Sequence, residues 1–312
     1  MRGGPWRSAR AKGRSIIAQM SPSALLALHS VPVTARHALS KRLLTLVGAA
    51  ALCTASVSVA QAQFGRGGFF GRGARIAAPE DFDGRFHYCR VVYRQAFEGD
   101  GGSWRTDYPR ADTNIMIRLS ELTKTNVSFD QARQPMNLLV NLGGDELFRC
   151  PVAVMSAPGS ALISDMEAEN LREYLLKGGF MWVDDFWGSY QWDHWVSQLR
   201  KVLPASDYPI VDLPIEHPLF RTQFEVPVIP QIPNIGFFMR SGGRTSERGA
   251  DSAVPHVRGI ADRNGRLMML MTHNTDIADA WEREGDDPTY FMTFGPKGYA
   301  LGINAFLYAL TH

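Results

Sequence analysis

The sequence predicts an α/β domain, a three-layer sandwich around a mainly parallel sheet, behind an export signal. Three observations carry this. From residue 85 onward, short apolar runs alternate with amphipathic segments of helical period, which places helices on both faces of a parallel sheet. An Asn264-Gly265 turn between two apolar runs adds an antiparallel hairpin at one edge. The first 62 residues hold eight basic side chains and no acidic one, and they end in an apolar run.

Lys41 and Arg42 precede Leu43–Ala60, an apolar run of small residues, and Ala60-Gln61-Ala62 puts small residues where a signal peptidase reads them. Cleavage is expected before Gln63. The alternative is an uncleaved anchor, although a run of about 18 residues is at the short end for a spanning helix. Leu52 before Cys53 is too large for lipoprotein cleavage. The 40 residues before Lys41 exceed an ordinary positive segment, so an upstream extension is read here, with a start near Val33 if its codon is GTG. Residues 1–62 are thus extension and signal, 63–79 a Gly/Arg-rich linker, and 80–312 one α/β domain with no membrane span. The expected location is the periplasm or the exterior. Removing the leader leaves 25 of the 33 basic residues against all 31 acidic ones, a net charge near −6. That balance gives no electrostatic case for nucleic acid.

Arg85–Tyr93 is rich in aromatic and β-branched residues and reads as a strand. A Gly-rich loop, Gly99–Ser103, follows. Ala111–Leu122 sets Ile115, Leu119 and Leu122 on one helical face. Met136–Val140 and Val152–Met155 are short strands. Ser164 and Glu167 form a capping box for a helix with Met166, Leu171, Tyr174 and Leu175 on its apolar side, ended at Lys177-Gly178. Phe180–Val183 is a buried strand that stops at Asp184-Asp185. A helix over about Ser189–Leu203 carries Trp192, Trp195, Val196, Leu199 and Val202, and Pro204 stops it. Residues 205–256 are Pro-rich and irregular. Val257–Asp262 and Leu267–Thr272 form the hairpin. Thr275 is expected to cap a short helix through Trp281, and Tyr299–Leu310 is the last helix. Cys89 and Cys150 outlast the leader. They are either bridged, closing about 60 residues for roughly 4 kcal/mol on the chain-entropy model, or two buried thiols.

These motifs resemble an uncharacterised family, domain of unknown function 4159. The resemblance rests on Trp104-x-Thr106-Asp107-Tyr108-Pro109 with Ala111-Asp112-x-Asn114, and on Gly178-Gly179-Phe180 before Asp184-Asp185-Phe186-Trp187-Gly188. His217-Pro218-Leu219-Phe220, Asn274-Thr275-Asp276, Trp281-Glu282 and Gly302-x-Asn304 continue it. It implies a class I glutamine amidotransferase-like, flavodoxin-like fold and no established activity. Where amidotransferases carry a catalytic Cys on a turn after a central strand, this chain has Asp184-Asp185 and no Cys.

Ligands of open α/β sheets bind outside the carboxyl ends of the strands. Asp184 and Asp185 sit at such an end and are the catalytic candidates. Neighbours on a strand point to opposite sides, so one is expected to face the crevice and the other to cap a helix or hold backbone amides. Trp104, Asp107, Tyr108, Trp187, His217, Asp276 and Glu282 are the binding candidates, with Asp112, His194 and Asp279 as further polar groups. Their carboxylates suit Mg²⁺ or Ca²⁺ and their imidazoles Zn²⁺. No pair has diagnostic metal spacing, so no ligand set is assigned and a divalent metal stays open as cofactor. Trp104, Tyr108, Trp187, Tyr190 and Trp192 either stack on a sugar or fill the core. Two functions follow: a noncatalytic binding or scaffold module for a glycan or cell-envelope protein, or a hydrolase with Asp184 or Asp185 as general base, with or without a metal.

Overall fold

The computed structural model describes residues 74–312. The expected signal and most of the expected linker lie outside the described residues. The last residues assigned to the linker belong to the domain: Ile76 bridges Leu139, and the Ala77 amide donates to the Leu139 carbonyl at 2.8 Å.

A seven-stranded sheet forms the middle layer. In chain order its strands are β1 (Tyr88–Val92), β3 (Asn137–Asn141), β4 (Val152–Ser156), β6 (Phe180–Phe186), β7 (Val211–Asp212), β8 (His256–Ala261) and β9 (Leu267–His273). They lie in the order β3-β1-β4-β6-β9-β8-β7. The first five of that row are parallel; β8 and β7 add antiparallel to the edge. Counting only the parallel strands gives the order 2-1-3-4-5, the flavodoxin-like arrangement. Two further strands, β2 (Arg94–Gln95) and β5 (Ala161–Leu162), pair antiparallel beside the sheet.

The alternating side chains of β6 show how the layers are held. Trp182 packs edge-to-face on Trp281 and Phe306 on one face. On the other face lie α2 (Asp165–Leu176) and α3 (Gly188–Val202), from which Trp195 reaches the Met271 sulfur at 3.3 Å. The first face is covered by α1 (Arg110–Leu122) and two later helices, α5 (Asp279–Glu282) and α6 (Pro288–Thr311); a short α4 (Ile235–Arg240) precedes them. The capping box forms as expected, with the Ser164 hydroxyl on the Glu167 amide.

Four expectations are corrected. Leu122 and Met166 are exposed at 47% and 66%, because each lies beyond the stripe that meets the sheet. Thr275 does not cap α5: its hydroxyl donates to the Pro230 carbonyl and accepts from the Ile232 amide. The last helix begins at Pro288, eleven residues before Tyr299. Gly295-Pro296 reads as a breaker, yet Gly298 and Gly302 let the helix lie directly against Ala280 and Trp281. Cys89 and Cys150 are disulfide-bonded, with Cα atoms 6.1 Å apart, tying β1 to the turn before β4.

One buried charge organises the edge of the sheet. Arg90 on β1 has no exposed surface. Its Nε lies 2.9 and 3.1 Å from the Asp112 carboxylate oxygens, and Nη2 also donates to Asp112. Nη1 donates to the Trp104 carbonyl (3.0 Å), the Thr106 carbonyl (2.9 Å) and the Ser156 hydroxyl (2.8 Å). Burial opposes the guanidinium's charge, but Asp112, Tyr88 and Asp107 outweigh it, so its pKa is raised. Asp112 is therefore structural. Arg90→Ala strands a buried carboxylate and three acceptors. We predict a loss on the order of 3–5 kcal/mol, read from the urea midpoint; a change under about 1 kcal/mol would refute the role given to this pair.

Candidate functional site

Three parallel strands deliver acidic residues to one rim of the sheet, at their carboxyl ends. The β1–α1 connection brings Asp107, the end of β6 brings Asp184 and Asp185, and the chain after β9 brings Asp276 and then Asp279 at the start of α5. The backbone at this rim is left-handed at Asp107 (φ 64°), Ala157 (φ 51°), Asp185 (φ 60°) and Asn274 (φ 61°). Such conformations cost an L-residue about 1–2 kcal/mol each and persist where surrounding structure imposes them. At the reversal of strand order between β1 and β4, the Tyr93 hydroxyl lies 2.9 and 2.7 Å from the Ser156 and Ala157 carbonyls and fills the gap.

The register of β6 against β9 shifts between Val183 and Phe186, which marks a bulge at the two aspartates. Asp184 is 1% exposed. One of its oxygens takes the Thr272 hydroxyl and the other the Ala278 amide at 3.0 Å. Burial pushes its carboxyl up to about 6, with those hydrogen bonds acting the other way. Asp185 is partly exposed, and its Oδ1 accepts from the Trp187 indole at 3.1 Å. Burial, the Asp184 charge and Glu247 push the Asp185 carboxyl up to about 8.

Asp107, Asp276 and Asp279 converge next to this pair. One carboxylate oxygen from each lies within 4.8 Å of the others, and all three residues are buried. Asp276 Oδ1 accepts from the Asp279 amide at 2.9 Å. Asp279 Oδ2 accepts from the Ile235 amide (2.9 Å) and the Tyr290 hydroxyl (2.7 Å), and its Oδ1 takes a longer bond from Arg283 Nε (3.3 Å). Asp107 Oδ2 is buried with no hydrogen-bond partner. Glu282, on the same turn as Asp279, pairs with Arg283 at 2.7 Å. Burial raises the Asp107 carboxyl well above its ordinary value, and Asp185 and Asp279 add to it. Asp276 is raised likewise, by burial and then by Asp107 and Asp185. An all-oxygen set of this kind is the ligand type of Ca²⁺ and Mg²⁺.

Of the remaining candidates only Trp187 touches this site, through its indole bond to Asp185. Trp187 is 4% exposed and Trp104 3%, so neither presents a free face to a sugar. Tyr108, half-buried, has its ring 5.7 Å from Trp104. Trp192 stacks on Phe186 beneath the Arg258 guanidinium. Tyr190 is exposed and donates to the Glu98 carbonyl. His194 bonds the Ala161 carbonyl. His217 accepts from the Leu219 amide and packs on Tyr308, eighteen residues or about 27 Å of helix beyond Tyr290. Sequence reasoning missed Glu247 and Tyr290, which lie in a Pro-rich stretch and before the expected helix, with no spacing signal to mark them.

A family model for Domain of unknown function (DUF4159) matches residues 87–310. The chain belongs to this family. No curated protein matches it. In this DUF4159 domain, the segments around Asp107, Asp184-Asp185 and Asn274-Thr275-Asp276 meet at one rim. Asn274 ties two of them, accepting from the Gly188 amide at 2.8 Å and donating to the Val254 carbonyl at 2.8 Å. His217-Pro218 and Asn304 lie elsewhere, where Asn304 clamps the Gln223 and Phe224 amides. Among the described residues both cysteines are bonded to each other, which leaves no thiol nucleophile there. No described helix is long and apolar enough to cross a membrane.

The raised Asp185 carboxyl sets a pH dependence. A group held above its unfolded value contributes stability below that value and loses it as pH climbs through the folded one, here from about 4 to about 8. Asp185→Asn removes the ionisation, and Asn tolerates the left-handed backbone. The variant is expected to gain on the order of 1–2 kcal/mol over wild type between about pH 5 and pH 8 in urea unfolding. Identical pH profiles for the two proteins would contradict this.

Proposed function

We propose that this chain is an exported binding module that takes a glycan or cell-envelope partner at the carboxyl edge of its sheet, beside Asp185. The convergence of Asp107, Asp185, Asp276, Asp279 and Glu282 carries this reading. These groups lie where α/β sheets bind ligands, and among them Asp185 and Glu282 are partly exposed. A rim lined with carboxyl groups favours ligands that offer hydroxyl or ammonium donors. With Trp104 and Trp187 buried, recognition runs through hydrogen bonds more than through ring stacking. The disulfide supports export, because such bonds persist in oxidising compartments. So does the run Leu43–Ala60 with its small residues at the end. The exported protein is expected to begin at Gln63; N-terminal sequencing that finds Lys41 retained would count against cleavage.

One observation favours a second reading. A carboxyl that burial and neighbouring acids push up to about 8 has the proton affinity of a general base near neutral pH. In a hydrolase, Asp185 takes that role, since both Asp184 oxygens are engaged by Thr272 and Ala278. One screen addresses both readings: a glycan array with calorimetry, beside ester, amide and glycoside substrates, for wild type and Asp185→Asn. A ligand bound at least tenfold more weakly by Asp185→Asn, with no turnover, supports the binding module. Turnover lost in Asp185→Asn supports the hydrolase. Binding and turnover both indifferent to the change would remove this edge from either function.

A further inference from the structure

We infer that Asp107, Asp276 and Asp279 form a site for one hard divalent cation of the Ca²⁺ type. The inference deepens the reading of this edge as the binding edge and rests on it. Ligand atoms no more than 4.8 Å apart have a common point about 2.8 Å or less from each. Ca²⁺ takes carboxylate oxygens at roughly 2.3–2.6 Å, so shifts of a few tenths of an ångström complete the set. Mg²⁺ demands roughly 2.0–2.1 Å and near-octahedral geometry, so the three carboxylates must close further around it. No nitrogen or sulfur belongs to the set, which disfavours Zn²⁺.

The second observation is independent of the crowding. Asp107 is 8% exposed, and its Oδ2 has no hydrogen-bond donor. Buried polar atoms are nearly always satisfied, so an orphan beside two other carboxylates calls for an explanation, and an ion as its partner is one. The partner cannot be Arg283, which spreads over Asp279, Glu282 and Asp286 at 3.3, 2.7 and 3.5 Å. A cation between the three carboxylates supplies it.

The cluster is also held ready. Arg90 fixes the Thr106 carbonyl at 2.9 Å, one residue before Asp107, whose backbone is left-handed. Backbone amides of Asp279 and Ile235 orient the Asp276 and Asp279 carboxylates. Supports of this kind fix ligands around metals. Ca²⁺ takes about six to eight oxygens, so three carboxylates leave positions for water or for the hydroxyls of a bound ligand.

The test is calorimetric titration of the purified protein, stripped with EDTA, with CaCl₂ alone and MgCl₂ in parallel. We expect one Ca²⁺ per chain, a raised melting temperature, and Ca²⁺ preferred over Mg²⁺. Asp107→Asn and Asp276→Asn should each weaken Ca²⁺ at least tenfold while circular dichroism shows them folded. Asp193→Asn, an exposed acid on α3 outside the site, should leave affinity unchanged. No saturable heat and no melting shift up to about 10 mM Ca²⁺, beyond the weakest extracellular sites, overturns the inference. So does wild-type affinity in a folded Asp107→Asn, or Mg²⁺ bound more tightly than Ca²⁺. A ligand bound equally in EDTA, with Ca²⁺ silent, overturns this site and leaves the binding reading standing. Ca²⁺ bound with no ligand found at this edge supports the site and removes that reading.

Discussion

A guanidinium sealed from water holds the rim of this sheet in place. Arg90 distributes its donors among the Asp112 carboxylate, two carbonyls of the Trp104–Thr106 turn and the Ser156 hydroxyl. Three chain segments are thereby fixed to β1: the start of α1, the turn before Asp107, and the end of β4. A planar fork with five donors can do this, whereas an ammonium cannot meet the same geometry. The arrangement costs desolvation and is worth little as net stability. Its value lies in specification, because each partner left alone would be a buried orphan. The backbone that leads into Asp107 is fixed by that one side chain, through the Thr106 carbonyl.

The bulge in β6 does the complementary work on the central strand. In a regular strand, Asp184 and Asp185 would alternate across the sheet. Asp184 keeps the register with Ser156 and the face of Trp182, below α5, and spends both oxygens on Thr272 and Ala278; the break in pairing with β9 acts on Asp185. Asp185 takes the left-handed backbone, reaches only the Trp187 indole with one oxygen, and stays partly exposed. One dipeptide thus contains a structural acid and a functional candidate, separated by geometry rather than by residue type.

The elements legible in the sequence are those whose signal is local. The capping box at Ser164, the Asn264-Gly265 hairpin and the apolar run Phe180–Val183 each state their structure within a few residues. The helix before Tyr299 was hidden because Gly295, Pro296 and Gly298 favour a break in isolation; the packing of Gly298 and Gly302 on Ala280 and Trp281 overrides that preference. The cluster was legible only as a set of scattered acids. Asp107 and Asp276 lie some 170 residues apart, and only the crossovers of a 2-1-3-4-5 sheet bring them together. Trp187 misled for a related reason. It follows the aspartates in sequence, but the start of α3 turns its ring inward, where it is 4% exposed.

The costs of the fold are concentrated rather than spread. Of five non-glycine residues with left-handed backbone among those described, four (Asp107, Ala157, Asp185 and Asn274) lie at this rim, and the fifth, Arg133, sits in a surface turn. Buried carboxyls that repel one another occupy the same place. A fold optimised only for stability would relieve both, with glycine at the strained positions and amides for the acids. Here the layers around Trp182 and Trp195 carry the stability, and the rim draws on it. Strain and like charge meet at the carboxyl ends of β1, β6 and β9, and whatever neutralises those charges binds the folded state in preference to the unfolded one. That coupling makes stability itself a reporter of occupancy at this rim.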